Sequence, residues 1–201
     1  IIPKLRRTKM EQKTVSGGDK GRICVTGGTG YLGSWIVKKL LEQGYSVNTT
    51  TRIHPDGKGD VSFLTSLDGA AERLQIFHAD LAAPETFLPA IDGCVGVFHV
   101  AHPLDFSERE TEEAKLRRIT AALKAILKAC ADSKTVRRVV YTSSVTAGFL
   151  RPKDAGAITD ENTWTDVEFV RSRKEFGGTY AVTKTVAEKL ALDFASELGL
   201  D

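Results

Sequence analysis

No apolar run in this sequence approaches the roughly 20 residues that a membrane-spanning helix needs. A secretory signal is not visible either, because no apolar region follows the basic start of the chain. An excess of one charge is also missing, since 28 basic and 26 acidic residues leave a net charge of +2. We therefore predict no membrane partner and no nucleic-acid partner.

Cysteine is scarce as well. Cys24, Cys94 and Cys130 are odd in number and lack metal-ligand spacing. We interpret them as free, buried thiols in a reducing compartment, which predicts a cytoplasmic protein. Of the four histidines only His99 and His102 are close in sequence, and no third ligand lies near them, so we predict no metal site.

What the sequence has is enough chain for one domain with a sizeable core, in 201 residues of which 41% are hydrophobic. Met10 is the only methionine, so we interpret it as the true start and residues 1–20 as a disordered leader. Residues 21–201 would form the domain, and the abrupt end after a predicted helix suggests an incomplete C-terminus. The outer helix faces are unremarkable, so we expect a monomer or a weak oligomer.

Short β-branched runs alternate with longer helical patterns along the chain. Strands are predicted at Arg22–Thr26, Tyr45–Thr51, Leu74–His78, Val95–Ala101 and Val136–Thr142. Helices are predicted at Ser34–Gln43, Phe63–Leu67, Pro84–Ile91, Glu108–Asp132 and Tyr180–Leu198. This alternation predicts an α/β fold with a doubly wound parallel sheet. Residues 145–179 are predicted to form a long irregular loop, a feature that is usually functional.

A glycine-rich turn joins the first strand to the first helix. Gly27, Gly30 and Gly33 give the spacing G-x-x-G-x-x-G, which permits a tight turn, a close approach to a pyrophosphate and close helix packing. The helix N-terminus presents free amide hydrogens to that pyrophosphate. In this strand–turn–helix context the pattern predicts a dinucleotide site.

The second strand ends at Arg52, where NAD-selective proteins usually carry an acidic residue. A guanidinium there can pair with a 2′-phosphate, which favours NADPH over NADH. Lys58 is a candidate for a second positive charge, with a solvated surface lysine as the alternative. Asp80 follows the third strand, where it would meet an adenine edge or cap a helix.

Tyr180 and Lys184 are four residues apart at the start of the last predicted helix, which places both side chains on one face. A neighbouring ammonium group favours the phenolate form of a tyrosine, so Tyr180 could act as the proton donor to a carbonyl oxygen. Ser144 follows the fifth strand, at the edge where ligands bind in such sheets, and could hydrogen-bond the same oxygen.

Taken together, these residues make the sequence resemble the extended short-chain dehydrogenases of the plant dihydroflavonol reductase type, and within them the members that reduce isoflavanones. The resemblance runs from about residue 21 to the end. The stretches that carry it include 22–52, 60–64, 93–99, 126–135, 141–144, 164–166 and 176–189.

The resemblance implies a Rossmann-type NAD(P)-binding domain followed by a small C-terminal substrate domain, for which this sequence has no counterpart. It implies NADPH as cofactor and a catalytic triad of Ser144, Tyr180 and Lys184. The cofactor contacts that it implies, with Lys58 from the charge argument, are Thr26, Gly27, Gly30, Tyr31, Leu32, Gly33, Arg52, Asp80, Leu81, Val100, Ala101, Tyr180 and Lys184. The substrate contacts that it implies, together with Ser144, are His102, Val145 and Phe149.

The sequence departs from the family at three places near the site. His102 stands where a small serine or threonine is usual, Gly59 replaces a basic residue, and Gly178-Thr179 precede Tyr180 in place of bulkier residues. His102 would either crowd the pocket or add a proton donor. The same scaffold also serves cinnamoyl-CoA and phenolic aldehyde reductases, nucleotide-sugar epimerases, and proteins that bind the cofactor without catalysis. A partial product that only binds cofactor is a further alternative.

Overall fold

The computed structural model describes residues 20–52, 59–103, 110–152, 158–173 and 177–200. Its strands are β1 (Arg22–Thr26), β2 (Ser46–Thr51), β3 (Leu74–His78), β4 (Gly96–His99) and β5 (Arg138–Tyr141). Its α-helices are α1 (Tyr31–Glu42), α2 (Ser62–Thr65), α3 (Ala70–Arg73), α4 (Leu88–Ile91), α5 (Glu112–Ser133), α6 (Val167–Arg173) and α7 (Gly178–Leu198). Two 3₁₀ turns lie at Pro84–Phe87 and Val145–Ala147.

The five strands form one parallel sheet in the order β3-β2-β1-β4-β5, which confirms the predicted doubly wound α/β fold. The chain runs outward from β1 to β3 and then returns to place β4 on the other side of β1. The strand order therefore reverses between β1 and β4, and ligands bind at the carboxyl ends of the strands beside such a reversal. Thr26, His99 and Tyr141 lie in register along that edge.

Alternate residues of β1 supply two separate cores, one on each face of the sheet. Val25 packs with α1 through Val37 and Leu41 on one face. Cys24 packs with Phe87 and α5 on the other face. Helix α7 then packs against α5 through a third apolar cluster that includes Leu123, Leu127, Ala187 and Ala191. This packing fixes the helix that carries Tyr180 and Lys184 against the body of the domain.

The observed boundaries differ from the predicted ones where a side-chain hydroxyl, and not a backbone carbonyl, accepts the hydrogen bonds of backbone amides. Strand β4 ends at His99 rather than Ala101, because the amides of Val100 and Ala101 both donate to the Thr26 hydroxyl at 3.0 Å instead of to a neighbouring strand. Helix α5 begins at Glu112, where the Thr111 hydroxyl caps it by accepting from the Ala114 amide at 3.2 Å.

The prediction of one irregular loop over 145–179 is wrong for the residues that the structure describes. That segment contains the 3₁₀ turn Val145–Ala147 and helix α6, and α7 already begins at Gly178. Helix α6 is stabilised by contacts with other helices, since Arg171 pairs with Glu112 of α5 at 2.8 Å and Val170 is buried against α7. Residues 1–19, which include Met10 and nearly all of the predicted leader, lie outside the described part of the chain.

Candidate active site

The glycine-rich turn at residues 27–30 is tied to β2. The Gly27 amide donates to the Thr50 hydroxyl at 3.0 Å, and the Gly28 amide donates to the Thr50 carbonyl at 2.9 Å. Gly27 has a φ of 75°, in the left-handed region that favours glycine, which explains the residue at this position. The turn is therefore a fixed shape built by two neighbouring strands.

Two glycines in this region are required by space. A Cβ on Gly33 would lie 2.2 Å from the Gly27 carbonyl oxygen, and a Cβ on Gly28 would lie 1.9 Å from the Thr49 hydroxyl. At Gly30 the nearest atom would be 3.3 Å away, and its φ of −76° is open to any residue. The glycine spacing singled out Gly30 and not Gly28, because the restriction on Gly28 comes from β2 and has no signal in the local pattern.

The beginning of α1 fits a bound pyrophosphate. Its first turn carries no acidic residue, and Tyr31 and Leu32 are both exposed, so the amide end of the helix is open. Thr29 and Thr51 place their hydroxyl oxygens 3.4 Å apart, which brings the turn next to the end of β2. Exposed Arg52 follows directly, on the same edge of the sheet. Lys58 lies outside the described residues.

Asp80 and Leu81 have structural contacts of their own. One Asp80 carboxylate oxygen accepts the Ala82 amide at 2.8 Å, and the Asp80 amide donates to the Thr86 hydroxyl at 3.0 Å. Asp80 thus shapes the turn after β3, while its exposure leaves it open to a ligand. The half-buried Leu81 packs against the core beneath α4 and α5.

The Thr26 hydroxyl organises the reversal between β1 and β4. It accepts the amides of Val100 and Ala101, so its own hydrogen is left to donate to His99 Nδ1 at 2.9 Å. His99 is therefore neutral, with its proton on Nε2. Burial, followed by the charge of Lys184, lowers the pKa of His99 to about 4, which agrees with this assignment. Val100 and Ala101 are thus fixed beside Gly27.

Lys184 is buried at the carboxyl end of β5, although it carries an ionisable group. Its Nζ donates to the Thr142 carbonyl at 2.9 Å and lies 5.3 Å from the centre of the Tyr141 ring. Burial lowers the pKa of Lys184 to about 8, and the Glu188 carboxylate partly opposes that shift. The structure therefore brings the Lys184 ammonium group of α7 to the end of β5, next to the segment that leads into Ser144.

Ser144 is placed to donate a hydrogen bond. Its Oγ accepts from the Thr146 amide at 3.2 Å and from the Thr146 hydroxyl at 2.9 Å, which occupies both lone pairs. The hydroxyl hydrogen is left to bond a ligand oxygen. The preceding Ser143 points elsewhere, since its hydroxyl donates to Glu188 at 2.5 Å.

His102 lies against the tyrosine of the predicted triad. Its ring meets the Tyr180 ring edge to face, with 5.6 Å between centres and 87° between planes. Burial, followed by the charges of Lys184, His99 and Arg118, lowers the pKa of His102 to about 3. His102 is therefore uncharged at neutral pH and restricts how the Tyr180 ring can tilt.

A cleft of about 250 Å³ opens beside Ser144, which is part of its lining. Val145 and Phe149, which were predicted as substrate contacts, line it and are 79% and 47% exposed. Trp164 and Glu188 also line it. Ser144, Val145 and Phe149 thus share this cleft, whereas His102 contacts Tyr180 and is not among the residues that line it.

No helix in the described part of the chain is both long and apolar enough to cross a membrane. Three or more histidine, cysteine or acidic side chains do not come together there in a way that could hold a metal ion. The three cysteines are free and buried, as expected from the sequence.

The chain resembles known proteins along most of its length. A family model described as the NAD dependent epimerase/dehydratase family matches residues 23–201. Vestitone reductase of Medicago sativa is 56% identical over 182 residues, which cover 90% of this chain and 56% of that protein. Its crystal structure matches with a TM-score of 0.79 at 52% identity, over 90% of this chain and 55% of that one.

Two further relatives are more distant. Dihydroflavonol 4-reductase of Zea mays is 44% identical over 190 residues, which cover 94% of this chain and 53% of that protein. The structure of Gre2 from Candida albicans in complex with NADPH matches with a TM-score of 0.73 at 26% identity, over 87% of this chain and 53% of that one. The chain thus spans about half the length of the relatives that it matches.

Proposed function

Because the chain belongs to the NAD dependent epimerase/dehydratase family, we propose that it carries the nucleotide-binding and catalytic part of an NADPH-dependent reductase. The substrate that we propose is a flavonoid-type ketone, an isoflavanone or a dihydroflavonol, which is reduced to the alcohol. The resemblance to vestitone reductase and dihydroflavonol 4-reductase supports this substrate class. Residues 21–201 would act as one domain in a cytoplasmic monomer or weak oligomer.

The observation that carries the proposal is the placement of buried Lys184 at the strand end that leads into Ser144. Tyr180 precedes Lys184 by one helical turn, so phenol, ammonium and serine hydroxyl belong to one corner of the sheet. That combination suits a carbonyl oxygen that gains a proton. A site for hydrolysis would instead need an activated nucleophile, and Ser144 has no neighbouring base among its described hydrogen-bond partners.

When bound, a reduced nicotinamide would supply the hydride for the carbonyl carbon in the proposed reaction. Tyr180 donates its phenolic proton to the carbonyl oxygen, which completes the alcohol. Ser144 donates a hydrogen bond to the same oxygen and stabilises the negative charge that develops there. Lys184 stabilises the phenolate that is left on Tyr180, and solvent then returns the proton.

The cofactor would be held by the turn at residues 27–30 and the N-terminus of α1. The amides of Gly27 and Gly28 already donate to Thr50, so the amides at the N-terminus of α1 would be the ones that approach a pyrophosphate. Arg52 is exposed at the end of β2, where it would pair with the 2′-phosphate of NADPH. The remaining proposed contacts are Thr26, Gly27, Gly30, Tyr31, Leu32, Lys58, Asp80, Leu81, Val100 and Ala101.

Thermal unfolding of the chain alone, with NADPH and with NADH tests the cofactor proposal, because a ligand of the folded state raises the midpoint. We expect a rise with NADPH and a smaller one with NADH, and Arg52→Ala should remove the difference. Activity is then followed as NADPH consumption with isoflavanones, dihydroflavonols, cinnamoyl-CoA esters and aldehydes. A midpoint unmoved by either cofactor would overturn the proposal. Cofactor binding without consumption on any carbonyl would leave the chain a binding module.

A further inference from the structure

The ammonium group of Lys184 is buried with few hydrogen-bond partners. The residue is 3% exposed, and among the described residues its three N–H donors find one acceptor, the Thr142 carbonyl. The Glu188 carboxylate, on the next turn of α7, already accepts the Ser143 hydroxyl. A buried ammonium group is costly unless other groups compensate for its lost hydration.

The Tyr141 ring is the group placed to compensate. The Nζ of Lys184 lies 5.3 Å from the ring centre, within the distance at which a ring face attracts a cation. The ring is held from two sides, since Tyr141 is the last residue of β5 and its ring lies 5.6 Å from that of His99. The aromatic face is therefore a fixed part of the corner that contains Lys184.

The hydroxyl group of Tyr141 takes no part in holding Lys184. That oxygen is buried and has no hydrogen-bond partner among the described protein atoms. The contact between Tyr141 and Lys184 is therefore made by the ring face.

We propose that Tyr141 is a positioning residue whose ring face keeps Lys184 in its ammonium form at the carboxyl end of β5. The catalytic meaning of this inference rests on the proposed function, because the charged lysine is the form that stabilises the Tyr180 phenolate. The effect of the Tyr141 ring on the charge of Lys184 needs neither cofactor nor substrate.

The charged and titratable groups around Lys184 make its titration accessible. Burial brings its pKa to about 8, and Glu188 on the same helix opposes that shift. His99 at the end of β4 and His102 beyond it have lowered pKa values of about 4 and about 3, so both are neutral where Lys184 titrates. Arg118 of α5 lies near His102 and pairs with the Glu110 carboxylate, and Tyr180 is a further titratable group on α7.

The test is an NMR titration of the chain labelled at lysine Cε, with the Lys184 resonance identified by its loss in Lys184→Met. Tyr141→Leu removes the ring face, so we expect the Lys184 midpoint to fall by about one pH unit, equivalent to about 1.4 kcal/mol. Tyr141→Phe keeps the ring and should leave the midpoint in place. Val139→Ala is the matched control, because it truncates a partly buried side chain of the same strand and leaves the Tyr141 ring in place.

A second series keeps the shape of the site and so covers the possibility that Tyr141→Leu does not fold. Phenylalanines with increasing numbers of ring fluorines at position 141 weaken the ring face stepwise at nearly constant size. We expect the Lys184 midpoint to fall with each fluorine. A midpoint that does not respond to fluorination, or that moves as much in Tyr141→Phe as in Tyr141→Leu, would overturn the proposal whether or not the chain reduces a ketone.

Discussion

Replacing Gly33 with alanine should disrupt the glycine-rich turn far more than the same change at Gly30. The added Cβ at position 33 would lie 2.2 Å from the Gly27 carbonyl oxygen, 2.9 Å from the Gly27 carbonyl carbon and 3.1 Å from Gly28 Cα. All three are backbone atoms, so no side-chain rotation can make room. The turn cannot retreat freely, because the amides of Gly27 and Gly28 are both bonded to Thr50.

The size of the effect follows from that contact. Relief requires α1 to move by about 1 Å or the turn to release β2, and overpacking of this kind costs about 1–3 kcal/mol. We expect about 3 kcal/mol for Gly33→Ala, because only backbone is in the way. Gly30→Ala meets one atom at 3.3 Å and replaces an N-cap glycine, so it should cost no more than about 1 kcal/mol.

Urea unfolding followed by tryptophan fluorescence measures both variants against the parent chain, with the slope of the transition checked for constancy. NADPH titration of each folded variant then measures whether the turn still supports cofactor binding. The reasoning is refuted if Gly33→Ala is as stable as Gly30→Ala, or if it retains the same NADPH affinity as the parent.

Thr49→Ala should partly restore the stability that Gly28→Ala removes, since the Thr49 hydroxyl lies 1.9 Å from the Cβ added at position 28.

Tyr180→Phe should abolish NADPH consumption and leave the NADPH-induced rise in the unfolding midpoint largely intact; equal loss of both would indicate a structural role. Stability should fall as pH drops from about 6.5 to about 4, because the unfolded chain protonates His99 and His102 before the folded chain does. The shift of the His99 pKa to about 4 alone corresponds to about 3 kcal/mol in the unfolding free energy, and a flat profile across that window would contradict both shifts. The native chain should also resist thiol reagents, since burial raises the pKa of Cys94 to about 11 and of Cys130 to about 12, and rapid native-state labelling would count against this packing.

Hydrophobic periodicity predicted the sheet well, because each strand shows its own local pattern of apolar residues. Strand β3 was predicted at its observed bounds, Leu74–His78. Helix α1 begins three residues before its predicted start because Gly33 is helical, although glycine is a poor helix former. Its presence there is dictated by the Gly27 carbonyl oxygen, and a propensity argument does not contain that contact.

Helix α6 was not predicted for a related reason. It spans only Val167–Arg173, and a helix of that length is marginal by itself. Its support comes from a residue far away in sequence, the Glu112 carboxylate that Arg171 contacts. The aromatic ring beside Lys184 was not predicted either, because Tyr141 reaches that lysine from β5. His102 was predicted to lie at the site, but its edge-to-face contact with Tyr180 was not predicted.

The two halves of the candidate site meet at the end of β4. Thr26 closes the first strand at the glycine-rich turn, and its hydroxyl fixes His99 in one neutral tautomer. His99 in turn packs on Tyr141, the ring over which Lys184 lies. A chain of three contacts thus connects the turn proposed to hold the pyrophosphate with the ammonium group proposed to assist proton transfer. Because each contact is buried and specified by geometry, a change at Thr26 should alter the Lys184 titration as well as NADPH binding, even though Lys184 does not touch the altered atom.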